Sequence, residues 1–487
     1  MALLIAGGIF ISGCIHPFSK ASLDDYVAPS PESSWKADND ITAQPENIPA
    51  DIPEDIIKQG ANWRLADIID VALRNSPDTK ATWYAARSAA ADMMIAEGGR
   101  YPEINAAIGA SRLDNITSER RMSPSNSGLS SSLGLTWLLF DFGGREASIE
   151  EKRRTLIAAD FSHNAAIQDQ VFNVIEAYFT YANAKALEKA LETSMKEAST
   201  ALDAANERHL NGLATIADVL QAKTSLSQAK LNYENAKGRV KTIRGALATA
   251  MGIPANTPYD IEDIPMNPPV DSIIMAVDDY IKMAEANSPD LAAQRNRAEA
   301  SMAHKEVSRS EIYPSLSLGN TVSSSYSDLD SEFKADNSIA LQLKIPIWDG
   351  SIRRNRLLKS EQDALIQNAK LQSLRQSIIL QVWTSYFTFQ TSVERLKSVN
   401  DLMASATRSY EVALGRYKEG VGGLLDMLSA QSTLMNARAQ QISAQSDWYI
   451  SFSRLARDTG MLWADSKEQN MKMLDRFPAA TIEEKHQ

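Results

Sequence analysis

The chain is written twice. Asn75-Ser76-Pro77-Asp78 recurs as Asn287-Ser288-Pro289-Asp290, and Tyr101-Pro102 as Tyr313-Pro314, both displaced by 212 positions. Further along, Tyr178-Phe179-Thr180-Tyr181 answers to Tyr386-Phe387-Thr388-Phe389. Arg208 and Gly212 answer to Arg416 and Gly420, Asp218 to Asp426 and Gly252 to Gly460, all displaced by 208. A repeat of this length means one supersecondary unit used twice, so whatever the first copy folds into, the second must fold into as well. The four-residue difference between the offsets falls between Tyr-Pro and Phe140-Asp141 or its counterpart Trp348-Asp349, where an exposed loop tolerates a change of length.

That interval reads as two strands in each copy. In copy two, Ile339, Leu341, Leu343, Ile345 and Ile347 alternate with Ala340, Gln342, Lys344 and Pro346, giving one apolar face. Copy one does the same with Leu129, Leu133, Leu135, Trp137 and Leu139 against Ser130, Ser132, Gly134, Thr136 and Leu138. The expected strands are about 103–117 and 127–140, then 315–326 and 337–348. Loops at 114–126 and 327–337 hold most of the charge and the turn-forming residues.

Helices fill the rest of both copies. No Gly or Pro occurs from 146 to 211, so a continuous helix there would run on the order of 100 Å at about 1.5 Å per residue, far beyond the needs of a compact domain. Expected helices are 146–211 and 214–251, then 352–419 and 424–459. A heptad series runs through Val219, Ala222, Leu226, Ala229, Tyr233, Ala236, Val240, Ile243, Leu247 and Ala250, a narrow seam that alternates large and small side chains. The matching series Met427, Ala430, Leu434, Ala437, Ala444, Trp448 and Leu455 is looser. Repeat one therefore spans 63–253 and repeat two 275–461. Between them, 254–274 is a proline-rich linker, and a polar tail occupies 462–487.

The N-terminal residues suggest a compartment. Residues 1–13 form a short apolar run ending in small residues just before Cys14, the only cysteine, as at the end of a bacterial lipoprotein signal. Cleavage there would leave Cys14 as a lipidated N-terminus; the alternative is a free buried thiol. Residues 14–62, with Pro29, Pro31, Pro45, Pro49 and Pro53, read as an extended tether.

A net charge of −11 argues against a nucleic-acid partner, which would require a basic surface. No stretch approaches the roughly twenty apolar residues of a spanning helix. The mean hydropathy of −0.28 leaves a β-barrel open, because alternating strands barely raise it. Four strands cannot close such a barrel alone, and open edges in lipid would cost several kcal/mol for each unpaired backbone group. Self-association is thus a physical requirement of the membrane reading. Two chains would give a barrel filled by its own side chains, and three would leave a lumen.

With these features together, the chain resembles the outer-membrane efflux protein family, the TolC-like factors. The resemblance covers nearly all residues from 63 to 461. It rests on the duplicated Asn-Ser-Pro-Asp and Tyr-Pro elements, on Phe140-Asp141-Phe142-Gly143-Gly144 with Trp348-Asp349-Gly350, and on the paired Arg-x-x-x-Gly elements. It implies an α+β membrane protein, mainly α, with four strands per chain. Three chains would share a twelve-stranded β-barrel in the outer membrane, continued as a trimeric α-helical barrel across the periplasm. The function implied is that of an exit duct for a tripartite efflux or type I secretion system. A periplasmic adaptor and an inner-membrane pump of the RND or ABC type would be its partners, and no cofactor is implied.

The helix-turn tips become the informative sites. Segments 208–212 and 416–420 read as helix ends with a cation in the last turn and Gly where the chain leaves the helix. In the resemblance these turns form the end gripped by the adaptor, making Arg208, Gly212, Leu213, Arg416, Gly420 and Val421 contact candidates. Asp218 and Asp426 either serve the dipole of the helix they open or form rings at a constriction. Tyr417 and Ser429 belong to the same aperture set. Ser429 stands where relatives often carry a further acid, and Gly422 where some carry Arg.

Catalysis finds no motif: His16, His163, His209, His304 and His486 are scattered without metal-ligand spacing, and Gly143-Gly144 lacks a phosphate-loop fingerprint. A soluble coiled-coil scaffold, the main rival, explains the heptads but neither the paired alternating segments nor Cys14. An adaptor or an enzyme on helical arms would need a compact domain for which no segment is left.

Overall fold

In the computed structural model, the residues described are 51–53, 56, 62–113, 126–262, 268, 275–327 and 332–462. Cys14, His16, His486, the signal-like segment, the polar tail beyond Leu462 and most of the loop at 114–126 lie outside them.

The duplication holds helix for helix. Repeat one comprises β1 (Asn62–Trp63), α1 (Leu65–Asn75), α2 (Pro77–Gly98), β2 (Glu103–Leu113), β3 (Asn126–Phe140), α3 (Gly144–Leu210) and α4 (Ile216–Ala250). The linker holds β4 (Asp260–Ile261), and repeat two comprises α5 (Val277–Asn287), α6 (Pro289–Ser310), β5 (Ser315–Ser327), β6 (Glu332–Lys344), α7 (Ile352–Lys418) and α8 (Leu424–Asp458). Helices α3 and α7 both have 67 residues, and α4 and α8 both have 35, so their equivalence holds along their full lengths. At about 1.5 Å per residue the longer pair extends on the order of 100 Å.

The repeated motifs earn their places at the helix starts. Ser76 and Ser288 cap α2 and α6, accepting from Thr79 N and Leu291 N, with Pro77 and Pro289 in the first turn, where a missing N–H costs nothing. Where strand becomes helix, the Asp141 carboxylate accepts from Arg145 N at 2.5 Å and the Asp349 carboxylate from Arg353 N at 3.1 Å. The chain reverses there through left-handed backbone at Gly143 (φ +87°) and Gly350 (φ +68°).

The four longer strands form one antiparallel sheet in the order β2-β3-β5-β6. Its register puts Ile104 opposite Leu135, Leu133 opposite Val322, and Leu318 opposite Leu341, so most of the large apolar residues of all four strands share one face. That face is bare: Ile108, Leu133, Ile339 and Leu341 are all exposed. The other face carries Ser, Thr and Gly on β3 and β5, including Ser130, Ser132, Thr136, Gly319, Thr321 and Ser323, and Lys334, Asp336, Gln342 and Lys344 on β6. Strand β6 departs from expectation at both ends. It begins at Glu332, because Glu332–Asp336 pair with Ser323–Ser327 of β5 despite their charge. It stops at Lys344 although Ile345 and Ile347 continue the alternation, since Pro346 has no N–H to give a ladder.

The main core wraps the middle of α3. Val171, Val174, Ile175, Tyr178 and Phe179 are buried against Ile68 and Val71 of α1, Leu247 of α4, and Tyr259. The region 14–62 is not purely a tether: Ile56 is buried in this core, and Asp51 N donates to Asn75 Oδ1 at 2.7 Å. The linker is also engaged, through the parallel β1–β4 pair and the stacking of Trp63 on Tyr259. Below the core α3 narrows to a seam of small residues, Ser194, Ala198, Ala201 and Ala205. The seam on α8 is the more buried of the two, contrary to the looser sequence pattern. Helix α8 packs against both α3 and α7, whereas α4 packs mainly on α3. None of the described helices is long and apolar enough to cross a membrane.

Candidate functional site

Both long hairpins turn at the end opposite the sheet, and both turns are built alike. Gly212 (φ +75°) and Gly420 (φ +80°) take the left-handed conformation. Leu213 N then donates back to Arg208 O at 2.8 Å, and Val421 N to Arg416 O at 3.0 Å, closing each helix end. The residues beyond are bare and apolar: Leu213 and Val421 are each 69% exposed and Leu425 68%.

The two tip arginines do different work. Arg208 reaches across from repeat one to repeat two, donating from Nη1 to the Tyr417 carbonyl at 2.6 Å, with its guanidinium 4.9 Å from the Tyr417 ring centroid. Tyr417 is buried among Ala201, Ala205, Ala222, Leu424 and Met427, and burial pushes its phenol up against the opposing pull of Arg208. Arg416 is exposed. With Arg408, Val412, Gly422, Asp426 and Ala430 it lines a groove of about 410 Å³ between α7 and α8. Gly422 is there by necessity, since a Cβ on it would come within 2.9 Å of the Arg416 Cβ. No sequence signal separates the two arginines, because the difference lies in which neighbour each one meets.

The aspartates also differ. Asp218 sits in the first turn of α4, opposite Thr215. Its Oδ2 accepts from the Thr215 backbone N and from Thr215 Oγ1, both at 2.8 Å, and Asp218 N donates back to Oγ1 at 3.2 Å. This reciprocal box holds its carboxyl below the usual carboxylate range. The backbone N–H of Thr215 is the main cause, then its hydroxyl, with a smaller pull from Arg208. Asp426 opens α8 behind Gly423, which has no side chain to cap with. Ser429, one turn along α8 from Asp426, lines a different groove, with Thr224 and Ser225 of α4.

A bare apolar sheet face at one end, two long helical hairpins, and arginine-bearing turns at the other define an export channel of the outer membrane that extends into the periplasm. The chain belongs to the outer membrane efflux protein family, whose profile matches residues 68–253 and 280–461, one block per repeat. It is similar to Protein CyaE of Bordetella pertussis, at 27% identity over 387 residues covering 78% of this chain and 80% of that one. It is also similar to the antibiotic efflux pump outer membrane protein ArpC of Pseudomonas putida, at 23% identity over 472 residues covering 92% and 93%. Its fold matches that of the solved outer-membrane channel OprN with a TM-score of 0.72, at 18% identity, over 82% of this chain and 90% of that one.

Proposed function

We propose that three copies of this chain close one twelve-stranded barrel in the outer membrane and continue it as an α-helical duct through the periplasm. The observation that carries the reading is the open sheet. Among the described residues its edge strands β2 and β6 each leave their outer edge unpaired and run in opposite directions, so β6 of one copy has the right sense to extend the antiparallel ladder onto β2 of the next. Strands of 11–15 residues are long enough to span the hydrocarbon at a tilt, and the bare apolar face suits lipid. The opposite face, hydroxyl-rich on β3 and β5 and charged on β6, suits a water-filled lumen.

At the far end, the turns carrying Gly212, Leu213, Gly420 and Val421 offer exposed apolar surface for a periplasmic adaptor, beyond which an inner-membrane pump of the RND or ABC type would load the duct. Asp218 and Asp426 would stand in rings around the entrance, with Ser429 beside them and Tyr417 holding the tip through Arg208. Lipidation at Cys14 would anchor the N-terminus in the outer membrane. A coiled-coil scaffold would have no use for the one-sided sheet. The test is single-channel conductance in a planar bilayer together with the mass of the protein–detergent particle. A trimer passing small cation-selective currents supports the duct, and a monomer that never inserts refutes it.

A further inference from the structure

Two turns into α8, one residue contradicts the run it belongs to. Leu424, Leu428, Gln431, Met435, Arg438 and Ile442 are spaced alternately by four and three, the stripe that α8 turns toward α3. Of its two polar members, Arg438 is met by Glu197 of α3 at 3.0 Å. Gln431 is met by nothing: its side chain is buried, the residue being 6% exposed, yet neither Nε2 nor Oε1 has a hydrogen-bond partner among the described residues. On α3, Ser194 is 5% exposed and its Oγ is without a partner as well. A buried amide left unpaired is disfavoured against the leucine that this stripe calls for, so its presence needs a reason.

Both residues line one groove of about 360 Å³. Helix α3 packs on α4 and on α8 while those two scarcely meet, so the groove runs between them over Ser194 and Ala198. Its walls use equivalent positions of the two repeats, Gln221 and Thr224 on α4 and Ser429 and Ser432 on α8, displaced by 208. The unpartnered pair has no such equivalents: Lys223 stands in place of Gln431 and Leu402 in place of Ser194. None of the residues lining the groove is charged.

We infer that this groove binds an uncharged, polyhydroxylated small molecule of the saccharide kind. The unpartnered atoms set the chemistry, since Nε2 only donates, Oε1 only accepts and the serine hydroxyl does either. A carboxylate or phosphate would serve the donor alone and an ammonium the acceptor alone, and each would bring a charge into a lining that offers no counter-charge. An alcohol both accepts and donates, and a molecule with several neighbouring hydroxyls reaches Gln431, Ser194 and the wall residues together. Leu425, Leu428 and Met435 supply apolar surface for the C–H groups between those hydroxyls. The volume falls at the lower end of the range for small-molecule sites, roughly 300–1,000 Å³. The site is complete within one chain, so it goes beyond the assembly proposed above and does not depend on it.

The test titrates the full chain, purified in a detergent without a sugar headgroup, with trehalose and with maltotriose, and follows binding by saturation-transfer NMR. Gluconate and glucosamine serve as charged comparisons. The expected result is saturable binding of at least one neutral sugar, with both charged compounds weaker by roughly tenfold or more, the loss that goes with one unmet polar group. Gln431→Leu should weaken the binding by a similar factor while the thermal midpoint of the sugar-free protein stays level or rises, because leucine completes the stripe. Gln221→Ala with Thr224→Ala, both on the exposed wall, gives a second reading that leaves the stripe untouched: binding should weaken with the midpoint unchanged. Should neither sugar saturate the unmodified protein, or should its binding survive both sets of substitutions, water alone serves the amide and the inference is overturned. Tighter binding of gluconate or glucosamine would overturn it as well.

Discussion

Asn75 and Gly252 meet backbone to backbone. A Cβ on Gly252 would lie 2.8 Å from the Asn75 carbonyl oxygen, and Asn287 and Gly460 repeat the contact at the same distance. The Asn-Ser-Pro-Asp motif and the glycine ending the shorter long helix, far apart in sequence, are thus two halves of one joint in each repeat. Both glycines have positive φ, +70° and +72°. Replacing either with Ala adds a backbone collision to a left-handed strain of roughly 1–2 kcal/mol. Gly212, at φ +75°, has nothing within 4 Å of the same position. Gly252→Ala and Gly460→Ala should therefore lower the thermal midpoint distinctly more than Gly212→Ala. Equal losses in the three variants would show that the close approach contributes nothing.

Arg208→Ala removes a charge-assisted hydrogen bond worth about 1.5–3 kcal/mol and a ring contact worth about 0.5–1 kcal/mol. Both join the tip of α3 to that of α7, so the loss should fall on the tips and leave the sheet intact. Limited proteolysis should cut faster within the turns 211–215 and 419–423. Arg416→Ala, whose side chain lines an open groove, should leave those rates unchanged.

Much of this architecture is legible in the sequence, because the repeat, the strand alternation and the proline-free helices are one-dimensional signals. What escaped depends on neighbours. Glu332–Asp336 look like a loop until the ladder to Ser323–Ser327 claims them. Arg208 and Arg416 occupy equivalent positions, yet among the described residues only Arg208 meets a hydrogen-bond acceptor, because α3 leans on the second repeat and α7 has no such support. The need for Gly422 is equally invisible until the turn is seen folding back on Arg416.

Thr215→Ala dismantles the box that opens α4 and should cost about 1 kcal/mol of helix-start stability at neutral pH. The Asp218 carboxyl is held below its ordinary value in the folded chain, so its contribution is complete above the ordinary carboxylate range, about pH 4. It is lost as pH falls through the depressed folded value. The gap in amide exchange of the first turn of α4 between the original and Thr215→Ala should accordingly narrow below about pH 4. A gap that stays constant into strong acid would show that the hydroxyl's own bond to Asp218 N, and not the carboxylate, provides the cap.

Asp426 separates the two meanings an acid at a helix start can have. Asp218 is committed to Thr215, so Asp218→Ala must disturb the helix start along with any charge at the entrance. Asp426 has no capping partner at Gly423 and lies along an open groove, so its charge is free to act on passing ions. Asp426→Ala should reduce cation preference in single-channel recordings while leaving the unfolding free energy within about 0.5 kcal/mol of the original, as for an ordinary surface change. Asp218→Ala should lower both. Unaltered selectivity in Asp426→Ala, with stability also unchanged, would remove Asp426 from the constriction and leave the entrance to be set by the packing of the tips.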